Sequence, residues 1–200
     1  INKVLLPVEQ GPILHRAKQC EVCGYLHPIE ADQPGPNVCE RCESQLPAER
    51  RNLFRLQNVS TKRRDRISSD EEERLRQGYE IQTGVRFETR DGKPSPRSAT
   101  LVGEHGRVAE MQYGDAATLW RVNLGLRRRK ADEQPGFVLD MERGFWATKK
   151  DEEEDAQEVD ELSKKTQRVV PYVEDRRNCL LFIPGRIGSA KFMPSLQAAL

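Results

Sequence analysis

Lys18-Gln19-Cys20-Glu21-Val22-Cys23-Gly24, answered by Pro34-Gly35-Pro36-Asn37-Val38-Cys39-Glu40-Arg41-Cys42, is the stretch on which the fold of this chain turns. Each cysteine pair is C-x2-C, and fifteen residues separate the two pairs, inside the spacing of a four-cysteine zinc site. Two intervening residues let both sulfurs of a pair reach one ion from a tight turn. Two such turns supply four thiolates in the tetrahedron zinc favours, each about 2.3 Å from the metal. Gly24 after the first pair and Pro34-Gly35-Pro36-Asn37 before the second provide the bends. Four protein ligands leave no position open for water, so the expected Zn2+ is structural rather than catalytic. The alternatives are two disulfides, idle thiols, or His27 standing in for one cysteine. The chain opens at Ile1 with no basic-then-apolar leader. That pattern points to a reducing, cytoplasmic setting in which thiols stay available for metal. Cys179, entering the apolar run Leu180-Leu181, reads as a buried core thiol, and His15 and His105 as packing or surface histidines.

Outward from the cysteines the chain divides by composition. Residues 1–17 read as a connector, 18–47 as the zinc module, and 48–78 as a basic segment leading into a short helix. Ser69 with Glu72 three positions on forms a capping box, Asp70 and Glu71 add charge to the positive helix end, and Gly78 closes it. From Tyr79 the period becomes two: Tyr79, Ile81, Thr83, Val85 and Phe87 alternate with polar residues or glycine, the mark of a half-buried strand. Further short runs at 100–102, 108–113, 118–126 and 137–141 make 79–148 an antiparallel β region, with turns at Glu104-His105-Gly106-Arg107 and Gly114-Asp115. Residues 149–166, with Asp151-Glu152-Glu153-Glu154-Asp155, read as an acidic flexible loop. The remainder, 167–200, reads as two final strands, Arg168–Val173 and Leu180–Ile183, broken by the charged stretch between them, and the opening of a truncated C-terminal helix. No internal repeat is evident. The expected fold is α+β: mostly antiparallel β with a four-cysteine zinc module and short helices, as a fragment of a larger protein.

Composition narrows the function. Charged residues are 32% of the 200, above an average of about 25%, and 36% are hydrophobic. No apolar run approaches the roughly 20 residues that cross a bilayer. The formal net charge is only +1, but the charges are blocked. Lys62, Arg63, Arg64 and Arg66 form one basic strip, and Arg127, Arg128, Arg129 and Lys130 another. Guanidinium forks suit phosphate oxygens, so both strips are candidates for sequence-independent contact with nucleic acid. The competing reading is a salt-bridged surface between domains. No phosphate-binding G-x-x-x-x-G-K-[ST] loop, G-x-G-x-x-G or H-E-x-x-H occurs, and no carboxylate pair or nucleophile setting stands out. The chain alone is therefore expected not to be a catalyst. Trp120 and Trp146 read as core or interface anchors rather than base-stacking platforms.

Beyond the zinc pairs, three runs carry a resemblance: Leu56-Gln57-Asn58-Val59-Ser60-Thr61-Lys62-Arg63-Arg64, then Ile67-Ser68-Ser69-Asp70-Glu71-Glu72-Glu73-Arg74, then Val170-Pro171-Tyr172-Val173-Glu174-Asp175-Arg176-Arg177-Asn178. Together with Leu196-Gln197-Ala198-Ala199-Leu200 they resemble the C-terminal, MrfA-type zinc-binding region of large bacterial superfamily 2 DEAD/DEAH-box helicases. The resemblance extends, with gaps, from about Cys20 to Leu200. It implies an ATP-driven DNA translocase or helicase serving DNA repair, or antiphage defence of the Druantia or DISARM kind. ATP and Mg2+ would bind only through motor domains absent from this sequence, so no catalytic residue carries over. The metal role of Cys20, Cys23, Cys39 and Cys42 does. The expected partners are DNA, the motor domains of the same parent chain and a defence-system protein. The rival expectation is a zinc-stabilised protein-docking module that makes no nucleic-acid contact.

Overall fold

The computed structural model describes residues 3–6, 14–30, 32–60, 78–90, 93–127, 129, 133–147, 165–185 and 195. The chain divides into two compact units, one of Ile1–Val85 with Leu119–Asp175, the other of Arg86–Thr118 with Arg176–Leu200. Two long strands, β10 (Gly106–Leu126) and β12 (Thr166–Pro184), give residues to both.

In the first unit, β2 (Leu14–Gln19) pairs antiparallel with β3 (Leu26–Ile29) on one edge and with β4 (Arg50–Arg55) on the other. β4 then runs parallel to β12, with Leu53 opposite Val170 and Phe54 opposite Pro171. The sheet continues through β10 to β6 (Tyr79–Arg86), while β11 (Phe137–Asp140) joins β12 antiparallel. β1 (Lys3–Val4) and β5 (Val59–Ser60) form a separate pair.

Successive side chains on a strand face opposite sides, and this period splits the apolar residues into two clusters. Trp120, Val122 and Leu124, two apart on β10, pack with Ala17, Leu26, Leu53, Val170 and Tyr172. Phe54 and Val169, the neighbours of Leu53 and Val170, turn the other way to Val4 and Leu139. Both faces of the sheet are covered where β4 meets β12, which is the setting in which parallel strands are found.

In the second unit, β9 (Arg97–Gly103) and the start of β10 form a hairpin, from Gly106 opposite Gly103 to Tyr113 opposite Arg97. A bulge lies between Arg107 and Ala109. β7 (Thr89–Arg90) and β8 (Lys93–Pro94) form a second, short hairpin. The Arg97 guanidinium reaches Asp115 at 2.8 Å and sits 5.7 Å from the Tyr113 ring centroid.

The expected α+β class is met in its β part: among the described residues the named elements are all strands, and only Ser195 is helical. The helix expected between Ser69 and Gly78 falls on residues outside the described set, as does nearly all of the acidic run. The pairing is mostly antiparallel, as expected, with β4 parallel to β12. Two expected breaks are also absent. Gly114-Asp115 is no turn, and β10 passes straight through it. A Cβ on Gly114 would lie 2.6 Å from the Phe87 ring, so glycine serves there as a seat for a buried aromatic. The charged stretch Glu174-Asp175-Arg176-Arg177 likewise leaves β12 unbroken. Arg55 pairs with Glu174 at 3.6 Å, and Arg176 pairs with Glu88.

Candidate metal centre

Each cysteine pair sits on a turn, and the two turns are built alike. In the first, the Gly24 amide donates to the Cys20 carbonyl and the Cys20 amide to the Tyr25 carbonyl, both at 2.9 Å. In the second, the Glu43 amide donates to the Cys39 carbonyl at 3.0 Å and the Cys39 amide to the Ser44 carbonyl at 2.9 Å. The residue after each second cysteine is left-handed, Gly24 at φ 69° and Glu43 at φ 59°. Gln19 pairs with Leu26 just as Val38 pairs with Gln45. The second knuckle thus repeats the first 19 positions on, Cys20 to Cys39 and Cys23 to Cys42. This corrects the expectation of no internal repeat.

The two knuckles face each other. Cys20 Sγ is 3.5 Å from Cys42 Sγ, and Cys23 Sγ is 3.7 Å from Cys39 Sγ. All four sulfurs lie within 4.8 Å of one another. A tetrahedron with metal–sulfur bonds of about 2.3 Å has edges of about 3.8 Å, so the donor set fits a four-coordinate metal. It does not fit disulfides, whose sulfurs bond at about 2.05 Å, and all five cysteines of the chain are free thiols. Cys20 and Cys39 are buried, while Cys23 and Cys42 are half-buried. Cys179, expected in the core, is half-buried on β12.

Burial pushes the Cys23 and Cys39 thiols up. The Ser44 hydroxyl, foremost, draws the Cys42 thiol down to about 6. Four thiolates packed this closely repel one another unless a bound cation neutralises them, and a coordinating thiol is then deprotonated outright. The Arg41 amide adds a contact to Cys39 Sγ at 3.4 Å, and its guanidinium reaches the Cys23 carbonyl at 3.3 Å, tying one knuckle to the other.

Two basic side chains on one face of β2 hold the loop between the knuckles. Lys18 Nζ donates to the Pro36 carbonyl at 2.9 Å. Arg16 reaches the Glu30 and Gln33 carbonyls, each at 3.4 Å, and pairs with Glu49 at 2.9 Å. His27 is no ligand: it is buried, its ring edge-on to Tyr25 at 5.3 Å, with Nδ1 3.8 Å from Glu40.

The proposed nucleic-acid residues divide differently. Lys62, Arg63, Arg64, Arg66 and Arg128 lie outside the described residues. Arg127 is exposed, and its amide donates to the Gly78 carbonyl at 2.6 Å. Arg129 pairs with Glu80 at 2.8 Å and bonds the Leu126 carbonyl. Trp120 is a core residue, stacked on Tyr172 at 4.2 Å between centroids. Trp146 packs edge-on to Phe137.

No family model, curated protein or solved structure matches this chain. The likeness to helicase zinc regions therefore stands on the motifs quoted above. Sequence reasoning found the four ligands and missed Ser44, Arg41 and Lys18, which brace them. The repeated Cys-Glu-x-Cys wording was the legible sign of two equivalent turns. Nothing in it marked a hydroxyl two residues past Cys42 as a sulfur contact.

Proposed function

We propose that this chain is a zinc-binding accessory module of an ATP-dependent DNA helicase or translocase, in cytoplasmic DNA repair or antiphage defence. The observation that carries the metal role is the convergence of four cysteine sulfurs within 4.8 Å. Zinc is the ion that matches four thiolates in a tetrahedral arrangement, and with every position taken by protein it serves the fold. Cys20, Cys23, Cys39 and Cys42 would hold it, cross-linking the two turns. DNA contact is assigned to Lys62, Arg63, Arg64, Arg66 and Arg127–Arg129, with ATP and Mg2+ bound by motor domains outside this sequence.

The deciding experiment is fluorescence anisotropy of zinc-loaded protein with labelled single- and double-stranded DNA across a salt series. The proposal expects binding that falls steeply with salt and drops in an Arg63→Ala/Arg64→Ala variant. A second reading, a protein-docking module, is favoured by how often the described arginines already have acidic partners. Arg129 is paired with Glu80, Arg97 with Asp115, Arg51 with Glu49 and Arg176 with Glu88. Absence of DNA binding at low salt would transfer the proposal to that reading.

A further inference from the structure

The two knuckles match in backbone but protect their outer cysteines differently. Tyr25 and Ser44 occupy equivalent places, and their carbonyls accept the same bond, from Cys20 and Cys39. Tyr25 is fully buried, bridges to Val85 and packs on His27, and Cys20 and Leu26 beside it are buried too. The first knuckle is therefore walled by core. The second has no such wall: Val38, Glu43 and Gln45 are exposed, where their counterparts Gln19 and Gly24 are half-buried and Leu26 is buried. What it has instead is the Ser44 hydroxyl, whose Oγ lies 3.2 Å from Cys42 Sγ.

Resting on the zinc reading above, we infer that Ser44 is a positioning residue of the metal centre, its hydroxyl holding Cys42 toward the other sulfurs and hydrogen-bonding its thiolate. A hydroxyl both accepts and donates, so the same contact serves the thiol before metal arrives and the thiolate afterward. A hydrogen bond to a charged acceptor is among the stronger kinds, and it removes electron density from the one ligand that solvent reaches on the less supported knuckle. Tyr25 cannot supply this, since its place in the core turns the side chain away to His27. Partners that orient metal ligands in this way are worth 10–100-fold in metal affinity.

The test uses the full chain and zinc itself, titrated against a chromophoric chelator. One zinc per wild-type chain upholds the metal reading, and none overturns it together with this inference. With zinc bound, Ser44→Ala should hold it about 10–100-fold more weakly, while Ser44→Thr, which keeps the hydroxyl, should match wild type. The alanine variant retains the Ser44 backbone bond to Cys39, so a purely structural role for position 44 predicts no loss. Limiting N-ethylmaleimide on the zinc-loaded chain, with mass-spectrometric mapping, gives a second readout: among the four cluster cysteines, Cys42 should be alkylated earlier relative to Cys23 in Ser44→Ala than in wild type. Unchanged zinc affinity and unchanged alkylation order in Ser44→Ala would overturn the inference while leaving the zinc site standing. A threonine variant as weak as the alanine variant would overturn it as well.

Discussion

The Gly144 amide donates to the Asp140 carbonyl at 2.9 Å, the bond that Gly24 makes to Cys20 and Glu43 to Cys39. The likeness goes further. The Asp140 amide donates to the Phe145 carbonyl, Leu139 bridges to Trp146, and Gly144 is left-handed at φ 76°. The turn Asp140-Met141-Glu142-Arg143-Gly144 is therefore a third knuckle, with aspartate where the others have their first cysteine. Its carboxylate does for itself what the metal cysteines do with help. Asp140 Oδ1 accepts the amides of Glu142 and Arg143, both at 2.9 Å, where Cys39 Sγ accepts the amide of Arg41.

Asp140 is fully buried, so its removal leaves two amides without their acceptor. Asp140→Ala should cost about 2–4 kcal/mol in urea denaturation, the range for losing buried charge-assisted hydrogen bonds. Zinc content should not change, whereas Cys39→Ser should lower stability and zinc content together. An Asp140→Ala chain that loses its metal would mean that this turn and the metal knuckles are coupled.

Trp120 carries a buried indole Nε1 with no hydrogen-bond partner among the described residues, while its ring stacks on Tyr172. The ring stabilises and the orphan N–H opposes. Trp120→Ala should cost about 3–5 kcal/mol through the cavity it leaves. Trp120→Phe should cost much less, because it keeps most of the ring and removes an unsatisfied donor. Equal losses in the two variants, measured by urea midpoint, would show that the indole N–H finds an acceptor in the folded chain.

His15 lies edge-on to Tyr172 and feels the charges of Arg55 and Glu174. Burial, then the Arg55 charge, lowers its pKa below 6.5, and Glu174 opposes them. A lowered folded pKa means that the unfolded chain binds the proton more readily. The contribution to stability is thus fully present above pH 6.5 and is lost as pH falls through the folded value. An NMR titration of the imidazole should report this directly. Arg55→Met should raise the His15 pKa and Glu174→Gln should lower it further, and shifts of the opposite sign would contradict the assignment.

The strands were legible where alternation runs on for several residues, and β2, β3 and β4, which lie in stretches read as connector, zinc module and basic segment, were not. Trp120, Val122 and Leu124 announce their period of two, and Tyr79–Arg86 forms where alternation places it. The parallel pairing of β4 with β12 was not legible, because Leu53-Phe54 and Val169-Val170 are apolar on both faces and a short apolar run carries no periodicity. Gly114 and the charges at 174–177 looked like breaks because local composition does not reveal a tertiary partner. Phe87 occupies the space that glycine leaves, and Arg55 and Glu88 supply the opposite charges. The four-cysteine cluster was legible, since two C-x2-C pairs at this spacing admit few other uses. Their bracing was not. Ser44, Arg41 and Lys18 act at distances set by the folded turn rather than by sequence spacing.

The two halves of the metal site are unequally supported, and metal removal should separate them. The first knuckle joins β2 to β3 through four residue pairs, from Arg16–Ile29 to Gln19–Leu26, and β2 is also paired with β4. The second is closed by the single bridge Val38–Gln45, with the Leu46 amide bonded to the Asn37 carbonyl at 2.9 Å. Local opening follows the support each segment has, so a bound cation contributes most where other contacts are fewest. On chelation, hydrogen exchange at the amides of Cys39, Glu43 and Leu46 should accelerate strongly. The amides of β2 and β3 should keep most of their protection, because sheet pairing and the buried Leu26 do not depend on the metal. Loss of protection at both knuckles together would mean that the metal supports the whole sheet. No change at Cys39, Glu43 and Leu46 would mean that Lys18, Arg16 and Arg41 hold the second knuckle without it.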